Sequence, residues 1–478
     1  MRSLPKLIRP FAVVFLIAGV TFLAAQNAAD PLGEAQGKLR QHDLDGAYEV
    51  VQKAAAQKPE SVELSSALGN LDYLRGEFAD AEIEFKRALR LDDKFARAWV
   101  GLGRVFEAAS FREKAKACYR NAWKANPHDP EVQRNYARTL APGEQLTALQ
   151  NYLAEGADAG DPDTADQARR RVEELKWIGN RTSFSLSSAL KHDEIKLSWI
   201  MFDAKRLRGY SLPVRFNGGK TLHLLMDSGA GGIVLNQKAA ESAGLRKIAD
   251  LKFWGIGDEG DRTGYTASAD SVTVGEVSFE NCPVAVSDKK FLTDEDGLIG
   301  LDVFSMFLIS VDFQKMTLKL DPLPSHKAVT PDVNWHDREV APEFTNFSPF
   351  FRIGHGILLP TRVNGAKPVL FLIDTGASSS LIDPDYARQF TGVRSEDRIT
   401  MKGVSGKVQK VESAGQLTFE FAHYRQPVPG VIAVPLTRVT HDSPRITGIF
   451  GVTTLINFRM QIDYRDGLIN LEYVGPKY

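Results

Sequence analysis

An all-α helical repeat array followed by two all-β lobes related by pseudo-twofold symmetry is the fold class that these 478 residues predict. Three observations carry it. Residues 36–155 are rich in Ala, Leu, Glu, Lys and Arg at helical spacing, with few β-branched runs. Beyond about Asp193 the periodicity becomes that of strands. Within this β region a single stretch is written twice. Leu212-Pro213-Val214-Arg215-Phe216-Asn217-Gly218 leads to Leu224-Leu225-Met226-Asp227-Ser228-Gly229-Ala230, and Leu359-Pro360-Thr361-Arg362-Val363-Asn364-Gly365 leads to Phe371-Leu372-Ile373-Asp374-Thr375-Gly376-Ala377. The offset is constant through a turn and both flanking strands, since 360 − 213 and 374 − 227 both equal 147.

The length calls for two to four domains. With 43% hydrophobic and 25% charged residues the composition is that of ordinary globular protein. A net charge of −1 favours neither nucleic acid nor an anionic membrane as a partner. Cys118 and Cys282 fall in different predicted domains, so they build no disulfide framework or zinc site and read as unpaired core residues.

Residues 1–29 read as a signal peptide or membrane anchor. Arg2, Lys6 and Arg9 give a positive start, and Phe11 to Ala25 is uncharged and mostly apolar. That run is shorter than the ~20 residues of a spanning helix, which favours a cleaved signal. An extracytoplasmic location, periplasmic or secreted, is the expectation. Membrane contact is expected only through this segment.

The predicted array covers residues 30–157. A 34-residue period aligns Gly69 with Gly103, Ala47 with Ala81 and Ala115, and Val51 with Phe85 and Tyr119. Small residues let antiparallel helices approach, and large ones fill the space between neighbours. Residues 131–155 read as a degenerate fourth copy. The period resembles tetratricopeptide repeats, and the resemblance implies a concave face that binds a peptide or protein partner. Residues 158–192 read as a helical spacer.

Residues 193–322 form the first predicted lobe, 323–349 a linker with five prolines between Asp321 and Pro349 at its edges, and 350–478 the second lobe. Asn217-Gly218 and Asn364-Gly365 are strong hairpin turn signals. Each Asp-Ser/Thr-Gly-Ala follows one apolar run and precedes another, Ile233-Val234-Leu235 or Leu381-Ile382. Each copy also has a downstream partner, Gly297-Leu298-Ile299-Gly300 or Gly448-Ile449-Phe450-Gly451, and then Asp312 or Asp463 twelve residues on, since 312 − 300 and 463 − 451 both equal 12.

These residues resemble both lobes of a retropepsin-like aspartic protease (the acid protease fold). The resemblance covers about residues 195–476 and implies a catalytic pair, Asp227 and Asp374, one from each lobe. It implies that Ser228 and Thr375 lock the two loops together, that Gly229 and Gly376 bring backbone N–H groups to the carboxylates, and that Gly300 and Gly451 pack beneath the loops. Two carboxyls in contact cannot both ionise cheaply, so they share a proton, the aspartic proteases being the standing example. Such a pair activates water for attack on a peptide carbonyl without a covalent intermediate. No cofactor or metal is expected, because the nine His residues include no His-Glu-x-x-His spacing. His223 and His355, near the two motifs, read as surface or satisfied residues.

A substrate-covering flap is expected from two hairpins. In lobe one, Leu251 to Gly257 and Thr263 to Val272 flank a turn with Gly260, and Tyr265 lines the cleft. In lobe two, Ile399 to Val404 and Val408 to Val411 flank Ser405-Gly406. The expected function is aspartic endopeptidase, with the repeats recruiting a protein substrate or partner. The alternative is a catalytically inactive extracytoplasmic scaffold that keeps the fold for binding.

Overall fold

The computed structural model describes residues 30–156, 162–187, 192–203, 206–253, 255–288, 295–325, 342–436 and 443–475. The expected targeting segment, residues 1–29, and most of the proline-rich linker lie outside the described residues.

The array runs through α1 (Pro31–Arg40), α2 (Leu44–Gln57), α3 (Val62–Arg75), α4 (Phe78–Leu91), α5 (Ala96–Ala108), α6 (Arg112–Ala125), α7 (Pro130–Ala137) and α8 (Pro142–Ala154). Asp30, Asp43, Ser61 and Asp129 cap α1, α2, α3 and α7 by accepting from first-turn N–H groups that have no partner within the helix. The 34-residue period has a direct physical reading. A Cβ on Gly69 would lie 3.0 Å from the Phe85 ring, and one on Gly103 would lie 2.6 Å from the Tyr119 ring. The ring of one helix needs the bare backbone of its neighbour, once per repeat. Helix α9 (Pro162–Ile178) closes the array, burying Ala165, Ala168, Val172 and Leu175 with Leu149 and Tyr152 of α8.

The first lobe contains β1 (Asp193–Lys196), β2 (Leu207–Phe216), β3 (Thr221–Met226), β4 (Ile233–Asn236), β5 (Arg246–Phe253), β6 (Arg262–Val274), β7 (Val277–Ser287), β8 (Gly297–Ile299), β9 (Phe307–Asp312) and β10 (Thr317–Pro322). The second contains β11 (Ser348–Pro349), β12 (Phe351–Ile353), β13 (Gly356–Val363), β14 (Val369–Ile373), β15 (Leu381–Ile382), β16 (Ile446–Phe450), β17 (Phe458–Asp463) and β18 (Leu468–Tyr473), among shorter strands. Both hairpin turns are left-handed at both central residues: Asn217 and Gly218 have φ of 51° and 69°, Asn364 and Gly365 of 50° and 77°. That is the type I′ geometry Asn-Gly favours.

The same insertion occurs in each lobe. Strand β8 lies parallel to β3 and antiparallel to β4, with Ile299 opposite Met226. Strand β16 lies parallel to β14 and antiparallel to β15, with Phe450 opposite Ile373. The aspartates follow Met226 and Ile373, so each leaves the tip of a strand buried on both sides.

A six-stranded sheet shared by the lobes sets their relative position, in the order β11-β18-β17-β9-β10-β1. At its centre β9 and β17 pair antiparallel, with Leu308 opposite Asp463, Ser310 opposite Gln461 and Asp312 opposite Arg459. Because 463 − 312 and 461 − 310 both equal 151, Ser310 faces its own equivalent. The twofold axis passes through that pair, within one chain. Asp312 and Asp463 each accept from backbone N–H groups of the turn that follows, those of Lys315 in one case and of Arg465 and Asp466 in the other.

Two segments that the sequence marks only as spacer and linker contribute to the lobes. The spacer ends in Ser185–Leu186, which pairs with β7. The linker ends in β11, which pairs with β18, and carries buried Phe344. Cys118 and Cys282 are buried and free, and burial pushes both thiols up to about 12.

Candidate active site

The loops after β3 and β14 meet across the twofold axis through four hydrogen bonds that form a closed, symmetric set. Ser228 N donates to Thr375 Oγ1, and Thr375 N donates to Ser228 Oγ, both at 3.0 Å. Each hydroxyl then donates across the lobe boundary, Ser228 Oγ to Ile373 O and Thr375 Oγ1 to Met226 O, both at 2.8 Å. Both side chains are fully buried, so every polar atom in the exchange needs the other loop.

This interlock presses each aspartate against the glycine of the opposite loop. A Cβ on Gly376 would lie 2.2 Å from Asp227 Cγ, and one on Gly229 would lie 2.7 Å from Asp374 Cγ. Only glycine permits that approach. Gly300 and Gly451 sit behind the loops, where a Cβ would lie 2.4 Å from Ala230 O or from Ser379 O. Asp302, two residues past Gly300, accepts from Gly232 N at 2.9 Å, and Thr453, two past Gly451, accepts from Ser380 N at 3.2 Å. Sequence reasoning does not single out these last two supports.

The two carboxyl groups lie side by side, each packed on the glycine of the other's loop and acting on the other. Each also accepts from its own loop: Asp227 Oδ1 from Gly229 N at 2.9 Å, Asp374 Oδ1 from Gly376 N at 2.8 Å and Ala377 N at 2.9 Å. Burial raises both carboxyls, and Asp374 is raised well above the usual range because the Asp227 charge adds to that burial. Arg208, whose guanidinium donates to Gly376 O, pulls the other way on Asp227. Sharing one proton between the two carboxyls is therefore favoured over ionising both.

Of the expected flap residues, the structure brings Gly257 and Gly406 together. The turn between β5 and β6 meets the small hairpin Lys402–Gly403/Gly406–Lys407 of the other lobe. Asp258 N donates to Lys407 O at 3.0 Å, Glu259 N to Ser405 O at 2.8 Å, and Ser405 N to Ile256 O at 3.0 Å. Gly260 is in the same turn, at φ 83° with open space around its Cα. Tyr265 is placed elsewhere: it lies along β6, half-buried against the lobe core, with Lys247 Nζ 5.7 Å from its ring centre. His223 is exposed on β3, while His355 Nε2 lies 3.0 Å from Gly229 O, against the aspartate loop. Arg208 and His355 are legible only through the offset, since 355 − 208 is also 147. Among the described residues no cluster of His, Cys, Asp and Glu has the makings of a metal site.

A family model described as aspartyl protease matches residues 212–303 and 359–454, two stretches that begin 147 residues apart, since 359 − 212 = 147. Over these two stretches the lobes match the aspartyl protease family. A tetratricopeptide repeat model matches residues 38–109, ahead of both aspartyl protease matches. Among solved structures the chain is similar to the crystal structure of aspartic proteinase from Irpex lacteus, at 13% identity and a TM-score of 0.38, over 59% of this chain and 97% of that one. No curated protein matches the chain.

Proposed function

We propose that the protein is an aspartic endopeptidase in which Asp227 and Asp374 activate water against a peptide carbonyl. The observation that carries the reading is the buried carboxyl pair, each member packed on the other loop's glycine and held by the interlocked Ser228 and Thr375. The ionised member of the pair takes a proton from a water seated between the two. The hydroxide equivalent attacks the carbonyl carbon, and the protonated member donates to the carbonyl oxygen, giving a tetrahedral diol. The diol collapses with proton transfer to the amide nitrogen, and the C–N bond breaks. The paired turns at Gly257 and Gly406 serve as the flap that shields the reacting carbonyl from bulk water.

The repeats recruit the polypeptide. A groove of about 1750 Å³ lies along the array, lined mostly by its helices, Asn70, Arg104 and Arg134 among them, and reaches Asp261, Ile353 and Gly354 of the lobes. Gly354 adjoins His355, whose Nε2 lies 3.0 Å from Gly229 O. The charged start and apolar run of residues 1–29 support export from the cytoplasm.

The test is incubation of the full chain with a proteome-derived peptide mixture from acid to neutral pH, beside the Asp227→Asn and Asp374→Asn variants. Cleavage by the wild type, lost in both variants and blocked by a transition-state-mimicking aspartic protease inhibitor, is the expected result. A wild type that cleaves nothing, while still binding polypeptide through the groove, would establish the scaffold function instead.

A further inference from the structure

Arg208 and His355 occupy the same position in the two lobes, 19 residues before the aspartate in each case, since 227 − 208 and 374 − 355 both equal 19. They also make the same contact. The Arg208 guanidinium donates to the carbonyl of Gly376, and His355 Nε2 meets the carbonyl of Gly229 at 3.0 Å. Each thus reaches from its own lobe to the glycine of the opposite aspartate loop. A carbonyl only accepts, so His355 carries a proton on Nε2, and it makes this bond in either charge state. The contact is symmetric; the chemistry is not, because a guanidinium keeps its charge at every working pH and an imidazole need not.

Each contacted glycine is the one against which the opposing carboxyl packs. Gly376 lies against Asp227 and Gly229 against Asp374. Arg208 therefore places a fixed positive charge on the Asp227 side of the dyad. It is buried, its Nε has no hydrogen-bond partner, and the Phe202 ring lies 5.7 Å from its guanidinium carbon. No carboxylate of its own lobe neutralises it through a hydrogen bond or ion pair among the described residues. On the other side, His355 lies near Asp302, a carboxyl that Arg352 also acts on.

We propose that Arg208 and His355 are a pair of positioning residues that brace the two aspartate loops alike but charge them unequally, making Asp227 the base and Asp374 the acid of the dyad. The hydrogen bonds hold both glycine peptides in place, and the guanidinium stabilises the carboxylate form of Asp227 alone. The shared proton then resides on Asp374, the member placed to protonate the substrate carbonyl. This assignment rests on the protease reading for its chemistry, whereas the unequal titration of the dyad does not.

Arg208→His makes the two positions chemically alike, and Arg208→Lys keeps the charge while losing the planar fork. Full-length wild type and both variants would be titrated by 13Cγ-aspartate NMR, with Asp227→Asn and Asp374→Asn assigning the signals, and kcat/KM would be followed against pH. In Arg208→His the lower apparent pKa of the dyad and the acid limb should both move up by about one unit. Arg208→Lys should keep them near wild type. Should Arg208→His not fold, His355→Arg places a guanidinium on the Asp374 side, and the basic limb should move down. Unchanged titration in the folded variants, with only a loss of thermal stability, would reduce both residues to mechanical tethers and overturn the proposal. A wild type that hydrolyses nothing would end the protease reading, yet the NMR titration would still decide whether Arg208 splits the dyad.

Discussion

Thr375 Oγ1 is at once the acceptor for Ser228 N and the donor to Met226 O, in a fully buried setting. Thr375→Val keeps the shape and strands both backbone partners, which should cost about 2–4 kcal/mol. Urea denaturation of the purified variant reads that loss directly. Asp374 works in the opposite sense. Its folded pKa lies well above its unfolded value of about 3.9, so its ionisation opposes folding. The stability it contributes is fully present below the unfolded value and disappears as pH rises through the raised one. Asp374→Asn, which keeps an oxygen for Gly376 N and Ala377 N, should therefore raise the melting temperature at neutral pH and give no gain near pH 3. A gain independent of pH would locate the effect elsewhere. The residues of this site are legible because Asp-Ser/Thr-Gly-Ala occurs twice in register. Arg208 and His355 are equated only by the 147-residue offset, because an arginine and a histidine share no motif.

The paired turns show what an element contributes beyond its own sequence. Gly-rich turns at 255–260 and 403–406 are readable as hairpins, but each hairpin completes its hydrogen bonding in the other lobe, which local periodicity cannot encode. Gly257 has φ 134°, and a Cβ there would lie 2.4 Å from the Ser405 carbonyl carbon. Gly257→Ala should separate the turns while leaving the aspartate loops intact. Amide exchange should then quicken at least about tenfold at Asp258, Glu259 and Ser405, with Ser228 and Thr375 staying protected. Equal loss of protection at both places would mean that the turns and the dyad open as one unit. Tyr265 is a different case: its place in a strand beside the turn suggests the cleft, and the structure packs it half-buried against the lobe core.

At the level of the whole molecule, the array is bolted to the second lobe by a common core. Tyr73 and Phe78 share it with Leu358, Leu370, Leu372 and Ile449, and the Phe78 and Phe351 rings are 4.1 Å apart. Arg445 adds a bidentate pair with Asp45 at 2.7 and 2.8 Å, and Lys367 bonds to Glu77 at 2.7 Å and Asp80 at 3.0 Å. Magnitudes separate the two contributions. Phe78 is 2% exposed, and Phe78→Ala should cost about 3–5 kcal/mol. The Asp45 side chain is 61% exposed, and Asp45→Ala should cost less than about 1 kcal/mol. Denaturation of the two variants side by side checks the ordering. Helical repeats and duplicated lobes can both be read from the sequence, because each is written in a local period or a local motif. Their docking cannot, because an apolar residue such as Leu370 announces that it will be covered without saying by what. At the other end Lys252 of β5 pairs with Asp166 of α9 at 2.9 Å, so the array also touches the strand that leads into the lobe-one turn. The central sheet carries a further consequence, for biosynthesis. Its inner strands, β9 and β17, are far apart in the chain, and β17 and β18 lie near the C-terminal end. A nascent polypeptide that has emerged only as far as β16 holds both aspartates but lacks the scaffold that aligns them. Alignment of the two loops therefore waits on a pairing between strands about 150 residues apart, and cannot precede it.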